Sequence, residues 1–277
     1  MKKSKILLMT VIFILILPSI AYCDIGPKPS IEIIVENPPK TDYYLDLLVN
    51  YDKKGTYTNI REEGKYSKDM LNILKEYDLD GWRPAMVTGT KVPIFGDIVG
   101  EKSGENMIHK LSYIGVPDKF KIIVVTADGK TIVSENIVER RAFESKVYFD
   151  LDTKRARESS MVLAYIKQFL ITYPTTLILE GIILVLFGFS LKKNWKSFIT
   201  INLITQVLLT LIIFGTMYKQ GSMAATLFYI PIEILIVIIE AKLFKKYLIE
   251  HSESRRKAFA IVANIISFLA GVVMMYL

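Results

Sequence analysis

The chain has 277 residues, enough for about two domains. Hydrophobic residues make up 51% of it and the mean hydropathy is +0.34, more than an ordinary soluble domain shows. The formal net charge of +7 does not indicate a nucleic-acid-binding protein, because the basic residues flank apolar segments instead of covering one face of a soluble domain. We therefore expect a mixed membrane protein without a nucleic-acid partner.

The first 23 residues have the pattern of a secretory signal peptide. N-terminal lysines precede an apolar segment at residues 6–17, and Ala21 and Cys23 are small residues at the spacing that signal peptidase requires. Cleavage after Cys23, the only cysteine, would leave a mature chain that starts at Asp24 and has no thiol. Two alternatives are a lipoprotein signal acylated at Cys23, which the large Tyr22 before it disfavours, and an uncleaved anchor.

Residues 24–155 have the pattern of short strands. The segments 31–36 and 43–49 are rich in β-branched and aromatic residues and are separated by two prolines, so we expect a hairpin or two facing strands. Further candidate strands lie at 107–114 and 145–151. About 130 residues are enough to bury a core of their own. This segment is expected to be an extracytoplasmic, immunoglobulin-like β-sandwich.

A tight hairpin is predicted where Asp128 and Gly129 separate the apolar segments 120–126 and 131–135. The Asp-Gly pair tolerates the positive φ angles that such a turn requires.

One short helical insertion is expected in the sandwich. After Ser67, a helix N-cap candidate, apolar residues recur at three- and four-residue spacing: Met70, Ile73, Leu74 and Tyr77.

Apolar runs dominate the rest of the chain, each near the ~20 residues that a helix needs to cross a bilayer. The predicted spans are residues 173–191, 198–217, 223–244 and 258–277. Residues 156–172 are expected to form a juxtamembrane segment with an interfacial helix, and Pro174 to mark a bend or a new helix start. The fold class is thus mixed: a sandwich followed by a four-helix transmembrane bundle.

Basic residues predict the orientation of the spans. The loops after the first and third spans carry eight Lys or Arg residues, whereas the loop between the second and third spans has only Lys219. Positive loops stay in the cytoplasm. We therefore expect a multi-pass protein of the plasma membrane with its β-rich domain outside the cytoplasm.

The bundle also has a repeated unit. Glu180 is followed twelve residues later by a Lys-Lys pair, and so is Glu233. Both spans would run in the same direction, so the two hairpins would form a parallel repeat. The alternative is that low-complexity apolar sequence aligns easily with itself.

Polar residues within the spans form the candidate site. Side chains of this kind at membrane depth should turn inward toward one another, and an unpaired carboxyl there is expected to keep its proton. Two interpretations stay open: neutral carboxyls that hold the helices together through amide hydrogen bonds, or a proton or cation site. The residues are Glu180, Asn202, Gln206, Glu233, Glu240 and Asn264.

Several of these segments resemble an uncharacterised family of bacterial integral membrane proteins. The resemblance lies in the mature start Asp-Ile-Gly-Pro-Lys-Pro-Ser at residues 24–30, in residues 180–193 and 202–206, and in the segments around Glu233 and Asn264. It implies a secreted β-rich domain followed by four transmembrane helices, and it implies no activity.

Catalysis has little support in the sequence. The only histidines are His109, expected at a surface or sheet edge, and His251, in a predicted cytoplasmic loop, so neither can meet the intramembrane acids. Phosphate-binding loops, nucleophile elbows and clustered metal-ligand motifs are absent. We expect no cofactor and no enzyme activity.

The sequence favours a sensor, receptor or accessory subunit whose outer domain binds a ligand or partner. A partner membrane protein or a homo-oligomer is expected within the lipid bilayer. The alternative is a small oligomeric ion- or proton-coupled transporter that uses the intramembrane carboxylates.

Overall fold

The computed structural model of the chain describes residues 26–51 and 57–274. The predicted signal peptide, Cys23 and the expected mature start lie outside the described residues. The first part is rich in β-structure, and the last part is helical. The strands are β1 (Ser30–Glu36), β2 (Tyr43–Val49), β3 (Arg83–Pro84), β4 (Phe95–Gly96), β5 (Glu101–Ser103), β6 (Asn106–Ser112), β7 (Lys119–Thr126), β8 (Thr131–Val133), β9 (Val138–Glu139), β10 (Glu144–Asp150) and β11 (Arg155–Glu158).

The strands form two sheets, which together we call the β domain. One has the order β11-β10-β1-β6-β4, with β5 also on β6; the other has the order β3-β2-β7-β8, with β9 also on β7. Strand β1 is parallel to β10 and antiparallel to β6. Because β1 and β2 belong to different sheets, they are facing strands and not a hairpin. Both sheets contribute to one buried cluster, for example Ile33 and Val147 from the first and Leu47 and Val124 from the second.

The hairpin predicted at Asp128 and Gly129 is confirmed. Strands β7 and β8 pair antiparallel, with Val125 opposite Thr131, and Gly129 has a φ of +81°. Only glycine adopts this backbone region without steric cost, which explains the tight turn.

The helical insertion is also confirmed, as α1 (Lys68–Glu76), and a short helix α2 (Ala85–Thr88) follows β3. Burial of Met70, Leu71 and Leu74 anchors α1 on the core. Ser67 occupies the N-cap position but makes no side-chain cap; its backbone N–H instead donates to the Tyr44 hydroxyl at 2.8 Å.

The surface position expected for His109 is wrong. Its side chain is only 1% exposed, and Nε2 lies 3.1 Å from the Tyr43 hydroxyl of the opposite sheet. Strand β6 turns this side chain toward the core, which a single strand-like segment does not reveal. Burial lowers the pKa of His109 to about 4.

We expect acid to destabilise the β domain through His109. Between the ordinary pKa of 6.5 and the folded value of about 4, the unfolded chain binds a proton that the folded chain does not. The free energy of unfolding should therefore fall as pH falls through this window, by up to about 1.4 kcal/mol per pH unit from this group. Urea unfolding of the detergent-solubilised protein, followed by Trp82 fluorescence, would measure the slope. In a His109→Gln variant this slope should be smaller by the His109 contribution. An unchanged slope would contradict the lowered pKa of His109.

Three helical segments complete the chain: α3 (Met161–Leu186), α4 (Leu191–Tyr247) and α5 (Glu253–Met274). The predictions of a separate interfacial helix and of a new helix start at Pro174 are wrong, because α3 is continuous through Pro174. A proline removes one backbone hydrogen bond, and a long apolar helix can continue past that loss. The predicted domain boundary at residue 155 also falls inside β11.

Helix α4 is in fact two helices that meet at Gly221, where φ is +86° and ψ is 178°. Its first arm, residues 191–220, and its second arm, residues 222–247, run antiparallel, since the Ser197 hydroxyl bonds the Tyr247 carbonyl. At 1.5 Å per residue the arms are about 45 and about 40 Å long. Among the described residues, α3 and α4 are the helices long and apolar enough to cross a membrane.

The bundle has two distinct ends. At one end, which we call the basic end, Asn194 Oδ1 accepts the Ile249 N–H at 2.9 Å, and Lys193 pairs with Glu250 at 2.8 Å. The β domain contacts the other end, where α4 reverses at Gly221. There the Phe143 N–H donates to the Tyr218 carbonyl at 2.9 Å.

Candidate functional site

The helices enclose a cavity of about 160 Å³. Its wall contains every residue of the predicted intramembrane cluster: Glu180, Asn202, Gln206, Glu233, Glu240 and Asn264. The structure therefore brings these six residues together around one space.

Helix α3 supplies a row of polar side chains that we call the polar ladder: Gln168, Thr172, Thr176 and Glu180. Residues four apart lie on nearly the same face of a helix, and all four line the cavity. Gln168 is exposed, the two threonines are half-buried, and Glu180 is buried. The ladder thus leads from the end near the β domain to the buried acid.

The first arm of α4 faces this ladder with a similar row, Asn202, Gln206 and Thr210, also four residues apart. The second arm contributes Glu233 and Glu240, which are seven residues apart and so share a face. Glu233 is half-buried, and its carboxyl lies beside the Tyr229 hydroxyl.

Glu240 joins three helices through hydrogen bonds. The Asn264 Nδ2 of α5 donates to its Oε2 at 2.6 Å, and the Thr205 hydroxyl of the first α4 arm lies 2.5 Å from its Oε1. Asn264 also donates to the Ala260 carbonyl at 2.9 Å, so both of its N–H groups are used. These bonds connect the second arm of α4 to the first arm and to α5.

Glu180 is less completely bonded. The Ser267 hydroxyl donates to its Oε1 at 3.1 Å, whereas its buried Oε2 has no hydrogen-bond partner among the described residues. The Asn202 amide lies beside the Glu180 carboxyl, and one of its two N–H groups donates to the Phe198 carbonyl at 3.0 Å. Glu180 is only 1% exposed. A buried acceptor oxygen without a donor is costly, so this atom indicates a missing partner.

The far part of the cavity, toward the β domain, is aromatic. It is lined by Tyr165, Phe169, Tyr229 and Phe268, and the last two rings stack at 6.2 Å between centroids. Apart from its three glutamates, the lining has no charged side chain within the part of the chain that the structure describes.

The site does not have the geometry of a metal centre. Within residues 26–51 and 57–274, three His, Cys, Asp or Glu side chains never come close enough together to hold one ion. The histidines lie elsewhere: His109 in the core of the β domain, and His251 against the Gly188 carbonyl at 2.9 Å.

Several members of the site were not predicted from the sequence, among them Thr172, Thr176, Thr205 and Tyr229. The four-residue spacing of Gln168, Thr172, Thr176 and Glu180 was a usable signal for the polar ladder. Thr205 had no such signal, because the partner across the α4 hairpin depends on the register of its two arms.

No protein-family model matches the chain, and no curated protein and no solved structure is significantly similar to it.

Proposed function

We propose that this chain is an integral protein of the plasma membrane with four spans and with its β domain outside the cytoplasm. The spans would be α3, the two arms of α4, and α5. Support comes from the length and apolar character of α3 and α4, and from the basic end, which lies opposite the β domain. Positive loops favour the cytoplasmic side.

The proposal includes an immunoglobulin-like fold for the β domain and a parallel repeat in the bundle. An immunoglobulin-like sandwich is supported by the shared core of the two sheets and by the parallel pairing of β1 with β10 inside an otherwise antiparallel sheet. The parallel repeat is supported by Glu180 and Glu233, which both line the cavity from helices that run away from the β domain.

Single cysteines would test the orientation. In a Cys23→Ser background, Thr153→Cys in the β domain should react with a membrane-impermeant maleimide added to intact cells. Lys196→Cys, near the basic end, should react only after lysis. Equal labelling of the two positions in intact cells would refute the orientation.

We propose that the protein acts as a non-enzymatic sensor, receptor or accessory subunit. The observation that carries this proposal is the contact between the β domain and the turn of α4. Glu144, the first residue of β10, accepts from the Ser222 backbone N–H at 3.0 Å and from the Ser222 hydroxyl at 2.9 Å. Strand β10 pairs with β1 along its whole length. A displacement of that sheet when the β domain binds a ligand would therefore move residues that contact α4 directly.

Affinity purification in mild detergent, followed by mass spectrometry, tests this role. We expect a stoichiometric membrane partner, whose recovery decreases when Glu144→Gln weakens the contact with Ser222. Glu139→Gln is the matched control, because Glu139 is an exposed acid on β9 that pairs with Lys119. Recovery of the protein alone, as a homo-oligomer, would contradict the accessory role.

The cavity supports a second candidate, a small oligomeric ion- or proton-coupled transporter. Three carboxyl groups around one space, reached by a polar ladder, suit a proton or cation path. Flux into liposomes that contain the purified protein would test this candidate. Glu180→Gln and Glu233→Gln should fold and lose flux, and unchanged flux in both variants would eliminate it.

A further inference from the structure

One carboxyl oxygen of Glu180 has no hydrogen-bond partner among the described residues. Oε2 is buried, lines the cavity and has no donor within the part of the chain that the structure describes. Neither polar neighbour bonds this atom in the structure: the Ser267 hydroxyl lies at Oε1, and one N–H of the Asn202 amide donates to the Phe198 carbonyl. A molecule in the cavity that carries an N–H or O–H group would satisfy it.

The charge of the cavity favours a cation. Three carboxyl groups line it, and among the residues that the structure describes no Lys, Arg or His side chain does. A carboxylate is costly to bury without a partner of opposite charge. A cationic ligand would stabilise the charged form of one of these carboxyl groups.

The shape of the site distinguishes among cations. A transition-metal ion needs several ligands around one point, and the described residues provide no cluster of three His, Cys, Asp or Glu side chains for this purpose. The acids line different parts of the wall, and the space between them is about 160 Å³. A cavity of roughly 150 Å³ holds a molecule the size of benzene, so the ligand should have about six non-hydrogen atoms.

The aromatic part of the cavity suits the rest of such a ligand. The rings of Phe169, Tyr229 and Phe268 lie on the side toward the β domain, where they offer apolar contact and favourable faces for a cation. An amine with a short hydrocarbon chain has both parts: N–H donors for Glu180 and apolar surface for these rings.

We propose that the bundle binds a small primary ammonium ion, with an N–H group donating to Glu180 Oε2 and the hydrocarbon part against the aromatic rings. Entry follows the polar ladder from the end near the β domain. The inference goes beyond the proposed sensor or accessory role, which assigns no ligand to the bundle, and it does not depend on what the β domain binds.

Thermal unfolding and calorimetry of the full-length protein in detergent test the proposal, with n-butylammonium as the probe. We expect a saturable rise in Tm and measurable binding. The neutral alcohol 1-pentanol lacks the charge, tetraethylammonium lacks N–H donors, and sodium lacks both N–H donors and hydrocarbon. Each of these should bind at least about 10-fold more weakly, and equal binding by any of them would overturn the assigned ligand class.

Substitutions in the cavity would show where n-butylammonium binds. Glu180→Gln should weaken n-butylammonium binding at least about 10-fold, because it removes the charge that the N–H group meets. The matched control is Glu253→Gln, an exposed acid at the start of α5, which should leave the binding unchanged. If Glu180→Gln does not fold, Phe169→Leu serves instead and should weaken binding about 2- to 5-fold. Wild-type affinity in a folded Glu180→Gln protein would refute the site.

The outcome is separable from the proposed function. Loss of ammonium binding without loss of the partner would refute only the cavity inference. Binding of the amine by a protein that captures no partner would refute only the accessory role.

Discussion

Replacement of Gly221 by alanine should release the β domain from the bundle. The φ of +86° with ψ of 178° belongs to a backbone region that is essentially restricted to glycine. An added Cβ would also lie 2.7 Å from Glu144 Oε1 and 2.8 Å from Phe143 Cδ1. Strain of roughly 1–3 kcal/mol would act against the docked arrangement and lower the ratio of docked to released protein by roughly 5- to 150-fold.

Hydrogen exchange would measure this release. The amides of Phe143 and Ser222 donate across the contact, so both should exchange about 10-fold faster in Gly221→Ala. The control is Gly215→Ala, since Gly215 is helical and an added Cβ there meets nothing within 4 Å. In Gly215→Ala the amides of Phe143 and Ser222 should exchange at the wild-type rate. Wild-type exchange in Gly221→Ala would show that the contact is not held by the conformation of Gly221.

Replacement of Glu240 by leucine should destabilise the bundle much more than replacement by glutamine. Leucine leaves one Asn264 N–H without an acceptor and removes the link to Thr205, at a cost of roughly 1–2 kcal/mol per lost bond. Glutamine can accept from Asn264 and donate to Thr205, so the three helices stay joined. We expect a decrease of about 3–8 °C in Tm for Glu240→Leu and of less than about 2 °C for Glu240→Gln.

The helical circular dichroism signal during heating in detergent would measure these changes. The control is Glu253→Leu, which removes only an exposed ion pair with Lys245 and should stay close to wild type. A glutamine variant as unstable as the leucine variant would contradict this expectation. That result would mean that the charge of Glu240, and not its hydrogen bonds, stabilises the bundle.

Local patterns were reliable where neighbours along the chain determine the conformation. The Asp128–Gly129 hairpin and α1 follow from turn chemistry and from apolar spacing, and both are present. His109 shows where such patterns fail. Its burial depends on the sheet behind β6 and on Tyr43, which is 66 residues away in the chain.

For the helices too, the sequence predicted some features and tertiary structure decided others. Composition was enough to locate the apolar runs, because about 20 apolar residues are required wherever a helix crosses lipid. The continuity of α3 through Pro174 was not predictable from the residues, since one missing hydrogen bond can either end a helix or be tolerated. Likewise, the sequence predicted a reversal between residues 217 and 223 but did not indicate that the single residue Gly221 makes it.

The candidate site combines both kinds of information. Polar side chains within predicted membrane spans are expected to face inward, because their exposure to lipid is costly. The six residues could therefore be proposed as a cluster from their positions alone. Their pairing could not be predicted in this way. Which oxygen of Glu240 meets Asn264, and that Glu180 Oε2 meets nothing among the described residues, depends on the rotation and register of separate helices. Helix packing determines this rotation and register, and neither can be read from a short stretch of the sequence.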